Sequence, residues 1–419
     1  MRLEFHIKFD VNVKSSTSRL LSMYKPFAVK GVLFSVDEKD YDDTGQKAIA
    51  AKPRVPVWLI FFTGVLLVFV STLLAFLAFM TFSAVRQAPR QPSTTTIPLE
   101  PAGAPLCTHP ALRQEWRVLS NAQKLDYITA VQCLQRLPTI SHFGGAQTRF
   151  DDFQAVHVAL AVDVHLVGQF LPWHRRLLNL FETALRDECG FEGALPYWDW
   201  RPDADSGIPL VKSPVFDSVY GFGGNGADVP NYAGQFGNLS AMASAGWVAP
   251  GAGGGCVIDG PFASYNLSVG PGTNVTNHCL QRAFNDNIRG FLSSAQVAEV
   301  ARQTTFEAFR VELEGAPVTA TMRLHDAGHN AVGGEMADRY SSPGDPIFYL
   351  HHTFLDKLWW QWVGMNFSSR LEDVSGRSTV DAPYVSVTLD FELGMEMLAP
   401  TVTIREVMDI RNDLLCYMY

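Results

Sequence analysis

No cysteine precedes residue 107, and no acidic or basic residue lies between Arg54 and Arg86. Basic clusters are missing as well: the formal net charge is −9, and Lys and Arg are scattered along the chain. Without a basic face there is nothing to neutralise a phosphate backbone, which excludes nucleic-acid partners. No repeat of fixed period runs along the sequence. The uncharged stretch excludes the most. Residues 57–82 read VWLIFFTGVLLVFVSTLLAFLAFMTF, longer than the roughly 20 apolar residues that span a bilayer core. A buried core helix would show an interrupting polar face, and a cleaved signal peptide would not come after so long a leader as residues 1–54. The run is therefore expected to cross a membrane.

The flanks of that run set an orientation. Residues 1–54 carry ten Lys or Arg against seven Asp or Glu, and Lys47, Lys52 and Arg54 precede the run, whereas only Arg86 and Arg90 come closely after it. This bias places the N-terminus in the cytosol, and the residues beyond the run face the secretory lumen or the exterior. All six cysteines (Cys107, Cys133, Cys189, Cys256, Cys279, Cys416) lie on that far side. An even number in an oxidising compartment implies disulfides. Four glycosylation sequons, at Asn238, Asn266, Asn274 and Asn366, fall on the same side. A Pro/Ser/Thr-rich stretch, PRQPSTTTIPLEPAGAP, then reads as a stalk too poor in apolar residues to fold. The expected organisation is a cytosolic tail over 1–54, a transmembrane helix over 55–85, a stalk over 86–106 and a globular domain over 107–419. Within that domain, apolar spacing predicts helices over 114–137, 175–187 and 293–314. The Gly/Pro/Asn-rich stretch 202–280 predicts extended surface loops, and residues 379–393 have β character.

Six of the eleven histidines fall into two groups of three. Leu324–Asn330 reads LHDAGHN, and His325 and His329, four apart, share one face of a helix, where both rings reach one point. GDPIFYLHH comes next, and its His351 and His352 offer a third imidazole. Upstream, DDFQAVH ends in His157, and His165 and His174 (in FLPWHR) succeed it at spacings of eight and nine. His157 and His165 lie near one helix face or on either side of a helix end, and Pro172 marks a fresh helix start. Three neutral imidazoles suit copper, zinc, iron or nickel and leave positions open for a substrate or for O2. Spacing by itself does not choose the metal.

The string DDFQAVH…DVHLVGQFLPWHR…LPYWDW, succeeded by LHDAGHN…GDPIFYLHHTFLDKLW, resembles the two copper-binding regions of the tyrosinase family, the type 3 binuclear copper proteins, and most of all its short fungal members. The resemblance covers roughly residues 107–419, from CTHPALRQEW to LLCYMY, and does not extend to the residues before it. It implies a mainly α fold, with a central helical bundle holding a binuclear copper centre, long irregular loops and few short strands. It makes His157, His165 and His174 the ligands of one copper and His325, His329 and His352 those of the other. His351 then has a structural role. Asp356 either orients a ligand or forms a structural ion pair, and Phe170 and Phe348 match aromatic positions that line the copper pocket. The implied chemistry uses O2 to hydroxylate or oxidise phenols, catechols or o-aminophenols to o-quinone-type products, because two copper ions together deliver the two electrons that one ion does not.

The chain also departs from the family pattern. No cysteine lies between His157 and His165, so no thioether to the second ligand is expected. Asp326 comes after His325 where monophenol-hydroxylating members often carry Asn, and Asn330 comes after His329. Asp326 either accepts a phenol proton or is held in an ion pair, and Glu314 is a candidate for holding a water, set against an ordinary solvated helix residue. Gly333-Gly334 suggests an open entrance. The stretch after the copper regions is too short for the plug domain of the long enzymes, so none is expected. Cys107–Cys416, Cys133–Cys189 and Cys256–Cys279 are the pairings chosen among those six cysteines allow. The expected partner is a small-molecule or peptide phenolic substrate, the membrane anchor favouring a peptide of a secondary-metabolite route. Two other readings are a haemocyanin-type oxygen carrier, against which the chain shows no oligomeric carrier repeats, and a copper-free or zinc-bound relative, against which all six ligands are present.

Overall fold

Ser120 and Thr148 open the first two long helices. Each hydroxyl accepts the amide of the residue three positions on, Gln123 or Asp151, whose side chain returns the bond to the cap's own amide. In the computed structural model, which describes residues 106–230, 232 and 252–419, these helices are α1 (Asn121–Leu134) and α2 (Arg149–Leu160). After them come α3 (Phe170–Cys189), α4 (Ser294–Ala301), α5 (Phe306–Glu314), α6 (Leu324–Val332) and α7 (Ile347–Gly364). α3 stops at Gly190, whose φ of 68° is the left-handed conformation that glycine adopts without penalty. α3 packs against α1 and α7, and α6 packs against α5 and α7. The first ten residues of α7 are all buried, as expected of a helix at the centre of a bundle.

Strand is sparse. Four two-stranded ladders occur among the described residues: Ala111–Leu112 with Tyr417–Met418, Gly226–Asp228 with Gly254–Val257, Asn266–Val269 with Val275–Cys279, and Glu392–Leu393 with Val402–Thr403. The first is parallel and joins the beginning of the domain to its end. Beside it the Cys107–Cys416 disulfide closes the same junction, and Cys133–Cys189 and Cys256–Cys279 complete the expected connectivity.

Three expectations are corrected. The helix expected over 114–137 begins only at Asn121, because Leu119 is extended and Ser120 caps the helix; Trp116–Val118 forms a separate 3-10 turn. The stretch 202–280 is more than surface loop, since Phe222, Phe262 and Leu267 are fully buried within it. Residues 379–393 contribute only Glu392–Leu393 as strand, Pro383 being unable to donate to a ladder. The expected tail, transmembrane helix and nearly all of the stalk lie outside the described residues, as does Asn238. No helix among the described residues is long and apolar enough to cross a membrane.

Candidate metal centre

The acidic start of α2 is structural. Asp151 accepts the Thr148 and Gln147 amides, each at 2.9 Å, together with the Tyr265 and Ser268 hydroxyls at 2.8 Å. Further along the helix, Gln154 donates to the Val269 and Ser341 carbonyls at 2.9 and 3.0 Å. These bonds moor α2 to the ladder Asn266–Val269/Val275–Cys279 and fix the azimuth of His157 on the same helix. His165 lies beyond the end of α2, in the turn before α3, and His174 sits in the second turn of α3, after Pro172. Of the two placements the spacing left open, the chain takes the helix end. His325 and His329 occupy α6 and His352 occupies α7.

The ligand atoms of His157, His165 and His174 all lie within 4.8 Å of one another, as do those of His325, His329 and His352. The two trios face each other: the rings of His174 and His352 stack at 4.4 Å, and those of His165 and His325 are 5.9 Å apart. Phe170 lies 4.8 Å from both His174 and His325, and Phe348 lies 4.2 Å from His352, so both phenylalanines wall the centre as expected.

Backbone carbonyls orient the rings. The Nδ1 atoms of His157, His165, His174, His325 and His329 meet the carbonyls of Tyr340, Ala161, Phe170, Glu314 and Met336, at 2.6 to 3.3 Å. A carbonyl only accepts, so each of these Nδ1 atoms carries the proton and each Nε2 keeps its lone pair. Nε2 of His157, His174 and His325 is buried without a partner, and Nε2 of His329 faces Nε2 of His352 at 3.1 Å. Burial holds the imidazoles neutral, pushing His157 and His329 down to about 4 and the other four well below the usual histidine range. Buried, convergent, unprotonated nitrogens are what a cation requires, and the all-imidazole donor set fits copper.

Residues 147–365 of the 419 match the family model described as the common central domain of tyrosinase. The chain belongs to the tyrosinase family. The tyrosinase-like protein phomQ2 of Diaporthe leptostromiformis is 36% identical over 320 residues, covering 75% of this chain and 74% of that protein. N-acetyl-6-hydroxytryptophan oxidase ivoB of Emericella nidulans is 34% identical over 344 residues, covering 74% of this chain and 92% of that protein. Among solved structures, a variant of polyphenol oxidase from Thermothelomyces thermophila is similar with a TM-score of 0.64 at 32% identity, covering 74% of this chain and 88% of that one. This tyrosinase-family chain is thus an enzyme of the tyrosinase type, with a binuclear copper centre and O2 as co-substrate.

Around the histidines of this tyrosinase-family enzyme, other residues take definite parts. His351 is occupied on both nitrogens: the Trp200 indole N–H donates to its Nδ1 at 3.0 Å, so its Nε2 carries the proton and donates to the His325 carbonyl at 3.1 Å. It braces α6 and has no lone pair to offer, which gives the structural role expected of it. Gly328 makes room for the ring, since a Cβ there would lie 2.1 Å from His351 Cε1. Asp356 accepts from Arg175 Nε at 2.5 Å and from the Tyr417 and Tyr419 hydroxyls at 2.5 and 2.6 Å. It forms the structural ion pair, and its partner Arg175 is the chain neighbour of His174.

A cavity of about 180 Å³ opens onto His165, His325 and His329, with Glu314, Asp326, Asn330 and Arg339 also in its wall. Glu314 is not solvated; it is buried, paired with Arg310, and accepts the amide of Leu166, and burial raises it to about 7 despite that pairing. Leu166, next to His165, has a φ of 66°, a costly conformation for a residue with a Cβ that this bond helps to hold. Asp326 makes no ion pair with any described residue. It accepts the Arg323 and Ala316 amides at 2.6 and 2.9 Å, capping α6, and burial raises it to about 7 against those bonds. Asn330 donates to the Asp326 carbonyl at 2.7 Å. Gly333 and Gly334 do not line the entrance: a Cβ on either would meet the Ala283 or Gln281 carbonyl, so close backbone approach accounts for them. With all six cysteines in disulfides, no thioether partner exists. Trp200, Leu166 and Arg339 were not singled out by the sequence. Only Trp200 had a signal, the LPYWDW string, and Gly328 a second, as a glycine inside a helical pattern.

Proposed function

We propose that this enzyme oxidises phenols, catechols or o-aminophenols to o-quinone-type products, acting on a free aromatic compound or on a phenolic group of a peptide or secondary-metabolite precursor. One observation carries the reading: two trios of buried imidazoles face one another, and a cavity of about 180 Å³ reaches His165 of one trio and His325 and His329 of the other. His157, His165 and His174 are assigned to one copper, and His325, His329 and His352 to the other. When bound, the coppers supply the electron transfer to O2 that the reaction needs. For a monophenol, one oxygen atom enters the ring and the other leaves as water; for catechols, two molecules reduce one O2 to two waters.

The chain's own residues prepare that chemistry. The carbonyls behind each ring keep the imidazole lone pairs aimed inward. Phe170 and Phe348 exclude water from the floor, and the Glu314 carboxylate, immobilised by Arg310 and the Leu166 amide, presents an acceptor for a water or a phenol hydroxyl. A substrate-accessible cavity favours turnover over a haemocyanin-type carrier role. The relative named for N-acetyl-6-hydroxytryptophan supports a hydroxylated aromatic ring as substrate.

A cytosolic tail, one membrane span and a stalk over residues 1–106 would hold the catalytic domain on the lumenal or outer face. Three disulfides and the exposed Asn266, Asn274 and Asn366 sequons support this. Copper analysis with oxygen uptake on a monophenol, a catechol and an o-aminophenol tests the chemistry. Two coppers per chain with uptake on at least one substrate is the expected result, and one copper or none overturns it. Protease protection with glycosidase treatment tests the topology, and a protease-sensitive domain in sealed microsomes would reverse it.

A further inference from the structure

Every carboxylate in the wall of the histidine cavity is already committed within the fold. Glu314 pairs with Arg310, Asp326 caps α6, and Asp338 takes the amides of Tyr340, Ser341 and Gly272 at 2.8 to 2.9 Å. Arg339 is the exception among the charged residues there: it is exposed at the rim, lines the cavity, and its guanidinium makes no hydrogen bond or ion pair with any described residue. Its backbone is not loose. The Asp338 carboxylate fixes the turn, the Tyr340 carbonyl holds His157, and Ser341 and Ser342 are buried. An unsatisfied fork of N–H donors carried on a fixed turn beside a cavity matches a planar anion.

We propose that Arg339 determines specificity by binding a carboxylate on the aromatic substrate while the ring occupies the histidine cavity. The proposal rests on the phenol-oxidase reading for the position of the ring. The preferred substrate class is therefore an aryl acid with a short side chain, free or at the end of a peptide, in preference to its neutral amide or ester.

The test uses the full-length, copper-loaded protein with dihydrocaffeate and its primary amide, which differ in charge but hardly in shape. We expect kcat/KM for the acid to exceed that for the amide on the order of tenfold, with the difference mostly in KM. In Arg339→Gln that ratio should fall to about one, and Arg339→Lys should keep part of it. A second readout is independent of turnover: calorimetric binding of hydrocinnamate against hydrocinnamamide, neither of which carries a phenol. The acid should bind more tightly, and Arg339→Gln should remove the difference. Equal handling of acid and amide by the unaltered protein, or a preference that survives Arg339→Gln, overturns the proposal. If no phenol, catechol or aminophenol is oxidised, the phenol-oxidase reading fails, and the binding comparison still decides the role of Arg339.

Discussion

At the residue scale, adjacent histidines do different work because of what surrounds each nitrogen. His351 commits both nitrogens to Trp200 and the His325 carbonyl, whereas His352 turns Nε2 toward His329. His351→Gln, which keeps a donor and an acceptor, should still yield two coppers per chain, and His352→Ala should lower the stoichiometry; equal losses measured by metal analysis would reverse these roles. Gly328 serves the same ring. A methyl group there, 2.1 Å from His351 Cε1, must displace the ring, so Gly328→Ala should destabilise the fold by about 1–3 kcal/mol. It should also weaken copper binding by tilting His325 and His329. Denaturant unfolding and copper titration would check both, and an unchanged variant would show that the brace is dispensable.

At the scale of elements, the donors of one site come from α2, α3, α6, α7 and the turn after α2, so their relative positions must be held by bonds other than the metal's. Asp356 on α7 is one such bond, tying Arg175 of α3 to Tyr417 and Tyr419 at the C-terminal strand. Arg175 is fully buried, and another of its donors reaches the Val407 and Met408 carbonyls at 2.9 Å. Asp356→Ala leaves that cation without its counter-charge, and a loss of about 3–5 kcal/mol in unfolding free energy is expected. An Arg175→Met, Asp356→Leu double variant should recover part of it. If the single variant unfolds with the parent, the pair does not hold α3 to α7.

At the scale of the whole molecule, the copper centre and the Cys107–Cys416 bridge stabilise by different means. The bridge spans 309 residues and restrains mainly the unfolded chain, so replacing both cysteines by serine should lower stability by about 2–4 kcal/mol and leave the copper count at two. Metal acts on the folded state alone, and chelation should lower Tm. The metal-free protein should also be acid-sensitive. Burial lowers all six ligand histidines, His157 and His329 from 6.5 to about 4 and the others well below the usual range. Glu314 and Asp326, raised to about 7, pull the other way but are outnumbered, so the unfolded chain takes up more protons in that interval and stability is lost as pH falls through it. Thermal unfolding of metal-free protein between pH 7 and pH 4 would show this decline, and a flat profile would contradict the buried, neutral state of the rings.

Spacing alone grouped the histidines into two sets and left His351 and His352 as alternatives for the last place, because i, i+4 geometry and the arrival of a second group are properties of the chain before it folds. Resemblance then chose His352 over His351 and assigned the metal and the helical bundle, whereas the disulfide pairs were one choice among the fifteen that six cysteines allow. The apolar run and its flanks were likewise legible in one dimension. The parts played by neighbouring residues were not, since each depends on a partner distant in sequence: Glu314 on Leu166, His351 on Trp200, Asp356 on Tyr417 and Tyr419. Asp326, a candidate base from its place beside His325, proved to cap its own helix, and Gly333-Gly334 proved to sit under other backbone. The pattern of residue types determined which side chains are candidate ligands, because ligand chemistry is carried by the side chain itself; the carbonyls behind the rings decided which nitrogen each presents. Tertiary structure alone decided which charges are paired and which, as at Arg339, are left facing the cavity, because a hydrogen-bond partner is a fact of three-dimensional proximity.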